Sequence, residues 1–303
     1  MISKNLRPID WQETKNFLRG GVRLGGTIHS YETAASTQTP AKDAARQGAA
    51  QGTVFVTECQ NSGRGRRDRE WTSAPGLDLT FSVILRPNIG AVHAQLLNLA
   101  AAIAVGDALE NIFAEISVGQ ANENCTRPFD SKKNPIGIKW PNDVMANGKK
   151  ICGIICEISG TSSTSSASGA EGRIDYAVLG IGVNVNGAAC DMPVLDSPDR
   201  PRATSVFIET GRKTALPQLL GKILSNLDEL AGMVESEGGR VALIEVYRKK
   251  SCTLGEYVRV VTDEGETQGV ASNITDEGAL SIKDGEGRVL IFHAADVVHA
   301  YVE

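Results

Sequence analysis

The chain contains few of the side chains that enzymes most often use as nucleophiles or metal ligands. Its 303 residues include four histidines and six cysteines, and aromatic residues make up only 5%. No Ser-His-Asp or Cys-His arrangement is apparent around those histidines. Cys152 and Cys156 are close in sequence, but no second Cys or His pair follows, so a zinc site is not expected. The sequence therefore does not indicate a reaction that depends on a nucleophile of the protein or on zinc.

Long apolar runs and an excess of positive charge are also missing. Charged residues occur throughout the beginning of the chain, which is not the pattern of a secretory signal. No window approaches the apolar length that a bilayer span requires, and we expect no membrane partner. The net charge of -5 argues against nucleic acid as the main partner. We therefore expect a cytoplasmic protein whose cysteines are buried, reduced thiols.

The pattern of apolar residues predicts two units of unequal size. Runs rich in β-branched and apolar residues predict strands at 53–58, 78–86, 136–140, 151–158 and 174–185. Helical spacing predicts helices at 91–113, 216–235 and 241–250, with loops at 115–135 and 159–172. Short runs separated by turn residues, at 257–261, 267–271, 279–282, 289–292 and 297–302, predict a small β-barrel. The predicted fold class is therefore α+β, with units at 1–250 and 251–303.

The segment from Gly63 to Trp71 is the most unusual stretch of the chain. Four arginines and two glycines fall within its first seven residues, on an acidic background. Glycine allows a close approach of the backbone to a ligand, and arginine binds phosphate through paired hydrogen bonds. The segment therefore predicts a loop that folds over a small anionic ligand. A solvated basic surface or a nucleic-acid patch is the alternative interpretation.

Two further segments place cations beside polar groups. Lys139-Trp140-Pro141-Asn142-Asp143 joins two predicted strands, and a lysine next to Asn and Asp suits a phosphate with bound magnesium. A tight hairpin with a Lys–Asp surface pair explains this segment equally well. Lys150 enters an apolar strand, where an unpaired ammonium group is costly, so we expect it to face an anion. For Lys149 a surface position with a buried stem is an alternative.

Polar groups and glycines elsewhere complete the set of candidate site residues. Ser36-Thr37-Gln38 precedes a helix-like stretch at 41–47, so one hydroxyl is explained as a helix cap. Capping does not explain two hydroxyls and an amide together, and Gln60 adds an amide just before the arginine-rich loop. Glycines also interrupt the predicted strand in Gly180-Ile181-Gly182-Val183-Asn184, which often marks the close approach of a ligand.

These motifs occur in the order and spacing found in biotin–protein ligases. GRGRRDREW, KWPND, GKKICGI, GIGVNVN and STQ together resemble that family from about residue 28 to residue 303. The resemblance implies a catalytic domain related to class II aminoacyl-tRNA synthetases, with a mixed sheet and flanking helices, followed by an SH3-like β-barrel. It also implies that biotin and ATP form biotinyl-5'-adenylate and that a lysine of a biotin carboxyl carrier domain then accepts biotin.

The resemblance assigns roles to individual residues. Lys150, Arg66 and Lys139 are expected to act in catalysis. Biotin is expected to contact Ser36, Thr37, Gln38, Gln60, Arg64, Gly65, Arg66 and Lys150. ATP and the adenylate are expected to contact Arg64, Arg66, Trp71, Asn142 and Asn184. Asp143 is the candidate ligand for the Mg²⁺ that accompanies ATP.

Two positions depart from the usual pattern of the family. Asp68 stands where glycine is usual, which places an anion beside the arginines of the loop. Gln38 stands where asparagine or methionine is commoner, which changes the pocket.

Two other functions compete with this interpretation. Lipoate–protein ligases share the fold and the adenylation chemistry, but a lipoyl pocket requires an apolar tunnel instead of donors for a ureido ring. A non-enzymatic regulator is the alternative from another class. Fewer than about thirty residues precede the catalytic region, which is too few for a three-helix DNA-binding domain, so we expect no DNA binding. Edge strands of the sheet are compatible with a homodimer and with docking of the acceptor domain.

Overall fold

Residues 8–67, 69–118, 134–160, 172–193 and 201–299 are described by a computed structural model of the protein. The strands are β1 Ile28–Tyr31, β2 Val54–Thr57, β3 Gly63–Arg64, β4 Glu70–Trp71, β5 Leu79–Leu85, β6 Ile136–Lys139, β7 Asp143–Ala146, β8 Lys149–Gly160, β9 Ile174–Val183, β10 Tyr257–Thr262, β11 Gly265–Ile274, β12 Leu280–Lys283, β13 Val289–Phe292 and β14 Asp296–His299. The α-helices are α1 Gln38–Arg46, α2 Ala94–Val118, α3 Val206–Thr210, α4 Leu216–Met233 and α5 Glu237–Lys250. Short 3-10 helices lie at Trp11–Phe17, Ala91–His93 and Ala189–Asp191.

A seven-stranded mixed sheet forms the centre of the larger unit. Its strands lie in the order β1-β2-β5-β9-β8-β7-β6. β1 and β2 are parallel, whereas every other neighbouring pair is antiparallel. The predicted mixed sheet with flanking helices is therefore confirmed.

The two faces of this sheet are covered differently. One face packs against α2, α4 and α5 in the main apolar core, to which the odd-numbered residues of β9 from Ala177 to Val183 contribute. The other face packs against α1 in a smaller cluster that includes Tyr176 and Val178 of β9. Because side chains alternate along a strand, the even-numbered residues of β9 from Tyr176 to Gly182 point towards the α1 face. α1 covers only part of that face.

The C-terminal unit is a five-stranded antiparallel sheet in the order β13-β12-β11-β10-β14. Its buried side chains, including Val258 and Val260, are continuous with the main apolar core of the larger unit. The prediction of a small all-β unit after residue 250 is confirmed. Whether the boundary between the units lies at residue 250 stays a prediction.

Several predicted elements differ from the structure at their ends. α2 continues to Val118, into the stretch that we expected to be a loop, and residues 119–133 lie outside the described chain. β8 extends to Gly160, so part of the predicted linker is strand, while residues 161–171 lie outside the described chain. The four-residue strand β1 was not predicted, because its sequence Ile-His-Ser-Tyr has no apolar run long enough to indicate a strand.

The expectation that no segment is apolar enough to cross a membrane was wrong. The stretch Ala91–Ile116 has the length and composition of a membrane-spanning helix. Most of it, 83%, is buried inside the protein, where it packs against α4 and the central sheet. Burial on all sides accounts for its apolar composition, as in the core helix of a globular domain.

Candidate active site

A cavity of about 750 Å³ opens on the part of the central sheet that α1 leaves uncovered. Its floor consists of residues that face each other across β5, β9 and β8. Thr80 pairs with Gly182, which pairs with Gly153. One step further along, Ser82 pairs with Gly180 and Gly180 pairs with Ile155. The side chains on this face thus change from large and apolar under α1 to mostly small or polar where the cavity begins, with Ile155 as an exception.

Two glycines in the floor make room for the indole ring of Trp71. A Cβ atom at Gly182 would lie 2.3 Å from the Trp71 ring, and one at Gly153 would lie 2.9 Å from it. The ring comes from β4, which pairs with β3 to form a two-stranded ribbon over the cavity. We expected glycines in this strand to mark the close approach of a ligand; the structure shows a side chain of the protein, Trp71, against Gly182, and the approach of a ligand stays a prediction.

A β-bulge directs Lys150 into the cavity. Met145 pairs with Lys150 and Val144 pairs with Cys152, so one residue of β8 has no partner between them. Ile151 and Cys152 consequently both point into the core, and Lys150 lies on the same face as Gly153. Its ammonium nitrogen is 2.7 Å from Oδ1 of Asp143 and 5.9 Å from the centre of the Trp71 ring. The expectation that Lys150 faces an anion is confirmed.

Two more cations, Arg66 and Lys139, border the same region. Burial lowers the pKa of Lys139, against the opposing effect of the Asp143 carboxylate, while the charge of Lys150 lowers it further. Burial also lowers the pKa of Arg66, whose guanidinium donates to Oδ1 of Asn142 at 3.2 Å. Lys139 and Asp143 face each other across the β6–β7 hairpin, but Lys139 is buried. The alternative of a Lys–Asp surface pair is therefore wrong.

Hydroxyl and amide groups gather at the other end of the cavity. Oγ1 of Thr37 is 2.7 Å from Oγ of Ser82, and the Thr37 backbone N–H donates to Oε1 of Gln60 at 2.9 Å. Thr37 occupies the capping position of α1, yet its side chain makes no capping hydrogen bond within the described chain. Oγ of Ser36 accepts a hydrogen bond from the Gln38 backbone N–H at 3.3 Å. Capping therefore does not account for the Thr37 hydroxyl.

A segment at residues 201–205 forms a further wall beside Lys150. The Lys150 backbone N–H donates to the carbonyl oxygen of Arg202, and Thr204 donates in return to the Lys150 carbonyl oxygen. The side chain of Asn184 donates to the Thr204 carbonyl oxygen at 2.9 Å. Lys149, next to Lys150, points away and forms an ion pair with Glu209 at 2.8 Å.

The C-terminal unit closes the cavity on the remaining side. Arg66 donates to the carbonyl oxygen of Ala295 at 3.4 Å. Arg67 and Arg69 both form ion pairs with Asp296, whose side chain is only 16% exposed. Residues of β10 and β14 also line the cavity. Arg66, Arg67 and Arg69 thus contact the C-terminal unit, which argues against the alternative that the segment is only a solvated basic surface.

All thirteen candidate residues line this one cavity: Ser36, Thr37, Gln38, Gln60, Arg64, Gly65, Arg66, Trp71, Lys139, Asn142, Asp143, Lys150 and Asn184. Their individual roles stay predictions. Asp68 lies outside the described residues, and so does Cys125. The prediction missed Ser82, the segment 201–205 and the contribution of Asp296. Among these, only Ser82 had a local signal in the sequence, because alternation along β5 places it on the same face as Thr80.

Family comparisons agree with the two units of the structure. Residues 31–184 match the sequence profile of the Biotin/lipoate A/B protein ligase family. Residues 253–300 match the profile of the biotin protein ligase C-terminal domain.

Individual proteins of known name or structure are also similar to this chain. The bifunctional ligase/repressor BirA of Bacillus spizizenii is 30% identical over 89% of this chain and 74% of its own length. Biotin–[acetyl-CoA-carboxylase] ligase of Paracoccus denitrificans is 31% identical over 77% of this chain and 84% of its own length. The structure of biotin protein ligase from Aquifex aeolicus in complex with biotin and ATP matches with a TM-score of 0.67 and 23% identity, covering 91% of this chain and 100% of that one. This likeness confirms the predicted fold class.

Proposed function

This chain belongs to the Biotin/lipoate A/B protein ligase family, and we propose that it activates biotin with ATP and transfers it to a lysine of a carboxylase carrier domain. The observation that carries the proposal is the composition of the single cavity described above. Its lining combines hydroxyl and amide groups with the cations Lys139, Lys150 and Arg66. The relative from Paracoccus is named a biotin–[acetyl-CoA-carboxylase] ligase, and the Aquifex structure contains biotin and ATP.

The cations fit the first step of this reaction. An oxygen of the biotin carboxylate attacks the α-phosphorus of ATP, and the bond to pyrophosphate breaks. Attack of an anion on an anion requires positive charge around the reacting atoms. Lys150, Lys139 and Arg66 supply that charge. The ion pair of Lys150 with Asp143 keeps the ammonium group in place until the substrate arrives.

The second step requires only that the adenylate is held and protected. The acceptor amine attacks the carbonyl carbon of the mixed anhydride, AMP leaves, and one proton is released as the amide forms. Water competes for the same carbonyl carbon, so the site must exclude it. The arginine-rich loop, which Asp296 and Ala295 contact from the C-terminal unit, is placed to cover the adenylate.

Magnesium is proposed to enter as the complex with ATP. No group of three or more His, Cys, Asp or Glu residues in the described chain is arranged to hold a metal ion. Asp143 offers one carboxylate, which Lys150 already contacts. One carboxylate together with phosphate oxygens is a common arrangement for Mg²⁺ in nucleotide sites. Asp143 is therefore the candidate protein ligand, and the nucleotide supplies the others.

Partners and location belong to the same proposal. We propose that the sheet edge at β1 is available for a second subunit or for the carrier domain, because the opposite edge, β6, already pairs at Ile138 with Ser251. The net charge of -5 and the contacts of Arg66, Arg67 and Arg69 with the C-terminal unit favour a protein that does not bind DNA. Five cysteines of the described chain are free thiols, which suits a cytoplasmic location. A sedimentation measurement tests the proposed second subunit, and a gel-shift assay with duplex DNA tests the proposed lack of DNA binding.

One experiment separates biotin ligase from lipoate ligase and from a non-enzymatic regulator. The protein is incubated with ATP, Mg²⁺ and either biotin or lipoate, and the acyl-adenylate is detected by mass spectrometry. We expect biotinyl-adenylate, followed by a biotinylated carrier domain when one is added. Lipoyl-adenylate alone would identify a lipoate ligase, and binding of biotin without any adenylate would identify a regulator.

A further inference from the structure

Lys150 lies where the central sheet gives its strand little support. The pairing of β8 with β9 begins at Cys152 and Val183, so Lys150 extends beyond the end of β9. On its other side, the pairing with β7 is interrupted by the bulge at Ile151. Backbone groups at such an end need other hydrogen-bond partners. The groups that hold the main chain of Lys150 therefore also decide where its ammonium group lies.

The segment 201–205 supplies those partners in place of β9. The Lys150 N–H donates to the carbonyl oxygen of Arg202 at 2.8 Å, and the Lys150 carbonyl oxygen accepts from the Thr204 N–H at 2.9 Å. Ala203, between them, pairs with Lys150 as an isolated parallel bridge. A single bridge gives a segment little support, so its position depends on side-chain contacts as well.

The Glu209 carboxylate ties this segment to the β7–β8 hairpin that carries Lys150. Its Oε1 atom accepts a hydrogen bond from the hydroxyl of Thr204 and lies 2.8 Å from the Lys149 ammonium nitrogen. Its Oε2 atom accepts from Nδ2 of Asn147 at 2.7 Å. Thr204 belongs to the segment, whereas Asn147 and Lys149 belong to the hairpin. The contacts therefore form a closed ring that passes through the main chain of Lys150.

Burial makes the contacts of Glu209 difficult for water to replace. Only 6% of its side chain is exposed, and Thr204 is fully buried. Burial raises the pKa of Glu209, but the hydrogen bonds from Lys149, Thr204 and Asn147 together lower that pKa below its ordinary value. A carboxylate has two oxygens that accept several hydrogen bonds and offers no donor. Three donors of the surrounding chain thus meet one side chain that only accepts.

The turn of the hairpin fixes one of these donors. Asn147 and Gly148 have φ angles of 48° and 75°, and the type I′ turn of a two-residue hairpin requires positive φ at both positions. Asn-Gly is the pair of residues that this turn prefers. The local sequence therefore sets the turn, and the turn places the Asn147 amide beside Glu209.

We propose that Glu209 is a positioning residue, which holds the segment 201–205 against β8 and thereby fixes the place of the Lys150 ammonium group during adenylation. The inference rests on the proposed function and extends it to a residue that is not part of the described lining of the cavity. The rate of a reaction depends steeply on the placement of charged groups, and a displacement of about 1 Å can cost roughly 100-fold.

Steady-state adenylation by Glu209→Met tests this role, because methionine has a similar length and removes both oxygens. We expect kcat to fall about tenfold and the KM for biotin to change less than about threefold, because the hydroxyl and amide groups of the cavity stay in place. Glu209→Gln should recover most of the rate. One oxygen then remains for Thr204, and Asn147 can turn its own amide oxygen towards the new NH₂ group.

Glu229→Met is the matched control, because Glu229 is 69% exposed and pairs with Arg19 at 3.4 Å on the surface. It should match the wild type. An unchanged kcat in Glu209→Met, or a tenfold loss in both variants, would overturn the inference.

Two further variants separate the hydrogen bonds from the ion pair. The Lys149 side chain is 38% exposed, and exposed ion pairs stabilise little, so Lys149→Ala should keep kcat within about twofold of wild type. Thr204→Val removes the hydroxyl at similar volume and should lower kcat about threefold. This variant keeps the inference testable if Glu209→Met does not fold. Wild-type kcat in Thr204→Val would contradict the inference.

A double-mutant cycle shows whether Glu209 acts through Lys150. Single-turnover rates of biotinyl-adenylate formation are compared for wild type, Glu209→Met, Lys150→Ala and the double variant. If Glu209 positions the Lys150 ammonium group, Glu209→Met should cost less than about twofold once that group is absent. A merely structural role would slow both backgrounds equally and would refute the inference.

Hydrogen exchange measured by NMR separates failure of the inference from failure of the proposed function. The amides of Lys150 and Thr204 should exchange at least about tenfold faster in Glu209→Met than in wild type, whether or not the protein makes an adenylate. Unchanged exchange of both amides would show that Glu209 does not hold the segment. If the amides behave as expected and wild type forms no biotinyl-adenylate, the proposed function is wrong and the contacts of Glu209 stand.

Discussion

At the scale of single residues, Lys150 links the geometry of the cavity most directly to the proposed chemistry. Its ammonium group is balanced by Asp143 at 2.7 Å when no substrate is bound. A carboxylate or phosphate that enters the cavity competes with Asp143 for the same cation. The ion pair therefore keeps the Lys150 side chain oriented without blocking the exchange.

Lys150→Ala should keep the fold and slow adenylate formation by roughly 100-fold or more, the usual effect of removing one group that stabilises developing charge. Single-turnover quench measurements of biotinyl-adenylate test this. Lys149→Ala is the control, since that neighbouring ammonium group points away and pairs with Glu209. Equal rates for the wild type and Lys150→Ala would show that Lys150 takes no part in the reaction.

The candidate residues could be identified from sequence because each lies within a short motif of unusual composition. Their surroundings could not be identified in the same way. Lys150 and Gly153 are three positions apart, so a regular strand would place them on opposite faces of the sheet. The bulge at Ile151 that brings them together depends on pairing with β7. The contact between Gln38 and Glu157 joins residues 119 positions apart, and no local pattern records it.

At the scale of secondary-structure elements, β9 shows how one strand serves both core and cavity. From Ala177 onwards its odd-numbered residues are apolar and face the helices, while its even-numbered residues change from Tyr176 and Val178 to Gly180 and Gly182. The run of β-branched and apolar residues was sufficient to predict the strand. The change to glycine was sufficient to predict a close approach, but the approaching group, Trp71, comes from a different element.

Gly182→Ala should disrupt the cavity and leave the fold largely intact. A Cβ atom there would lie 2.3 Å from the indole ring, so Trp71 must move. We expect at least tenfold weaker biotin binding by calorimetry and a melting temperature within a few degrees of the wild type. Gly106→Ala in α2 is the control, because its nearest neighbour would be 3.7 Å away and alanine favours helix. Wild-type affinity in Gly182→Ala would mean that the position of Trp71 is unimportant.

At the scale of the whole molecule, the two units share one core and one cavity. The contacts from Arg66, Arg67 and Arg69 reach residues about 190 to 230 positions further along the chain. Sequence analysis treated the C-terminal unit as separate because composition changes near residue 250. Contacts between units depend on how the folded parts dock, which local patterns do not encode.

Asp296→Asn should loosen the arginine-rich loop and speed the loss of biotinyl-adenylate several-fold. The substitution removes the carboxylate charge that pairs with Arg67 and Arg69. Stopped-flow dissociation measured at two salt concentrations tests this, and the difference from wild type should shrink at high salt. Asp263→Asn provides the comparison. The carboxylate of Asp263 also pairs with Arg67, at 3.5 Å, but it is 97% exposed, whereas that of Asp296 is only 16% exposed. Identical dissociation from both variants would argue against a holding role for Asp296.

His299 makes the stability of the docked units depend on pH. Burial lowers the pKa of His299 to about 4, and the positive charge of Lys139 acts in the same direction. A histidine whose pKa is lower in the folded state contributes stability above about pH 6.5, and that stability is lost as the pH falls towards 4.

His299→Gln should therefore flatten the acid side of the stability profile. Between pH 7 and pH 4.5 the wild type should lose up to about 3 kcal/mol more unfolding free energy than the variant, measured by urea denaturation. His293→Gln is the control, because His293 is exposed on the same unit. The account fails if His299→Gln and wild type lose equal stability over this range.

The placement of Trp71 has an optical consequence. The chain has three tryptophans, of which Trp11 and Trp140 are buried in the apolar core. Trp71 alone lies against the cavity floor, with the Lys150 ammonium 5.9 Å from its ring. An incoming anion that draws the ammonium away changes the electric field across the indole, and therefore its fluorescence. The molecule thus carries an intrinsic reporter of ligand arrival in the indole of Trp71.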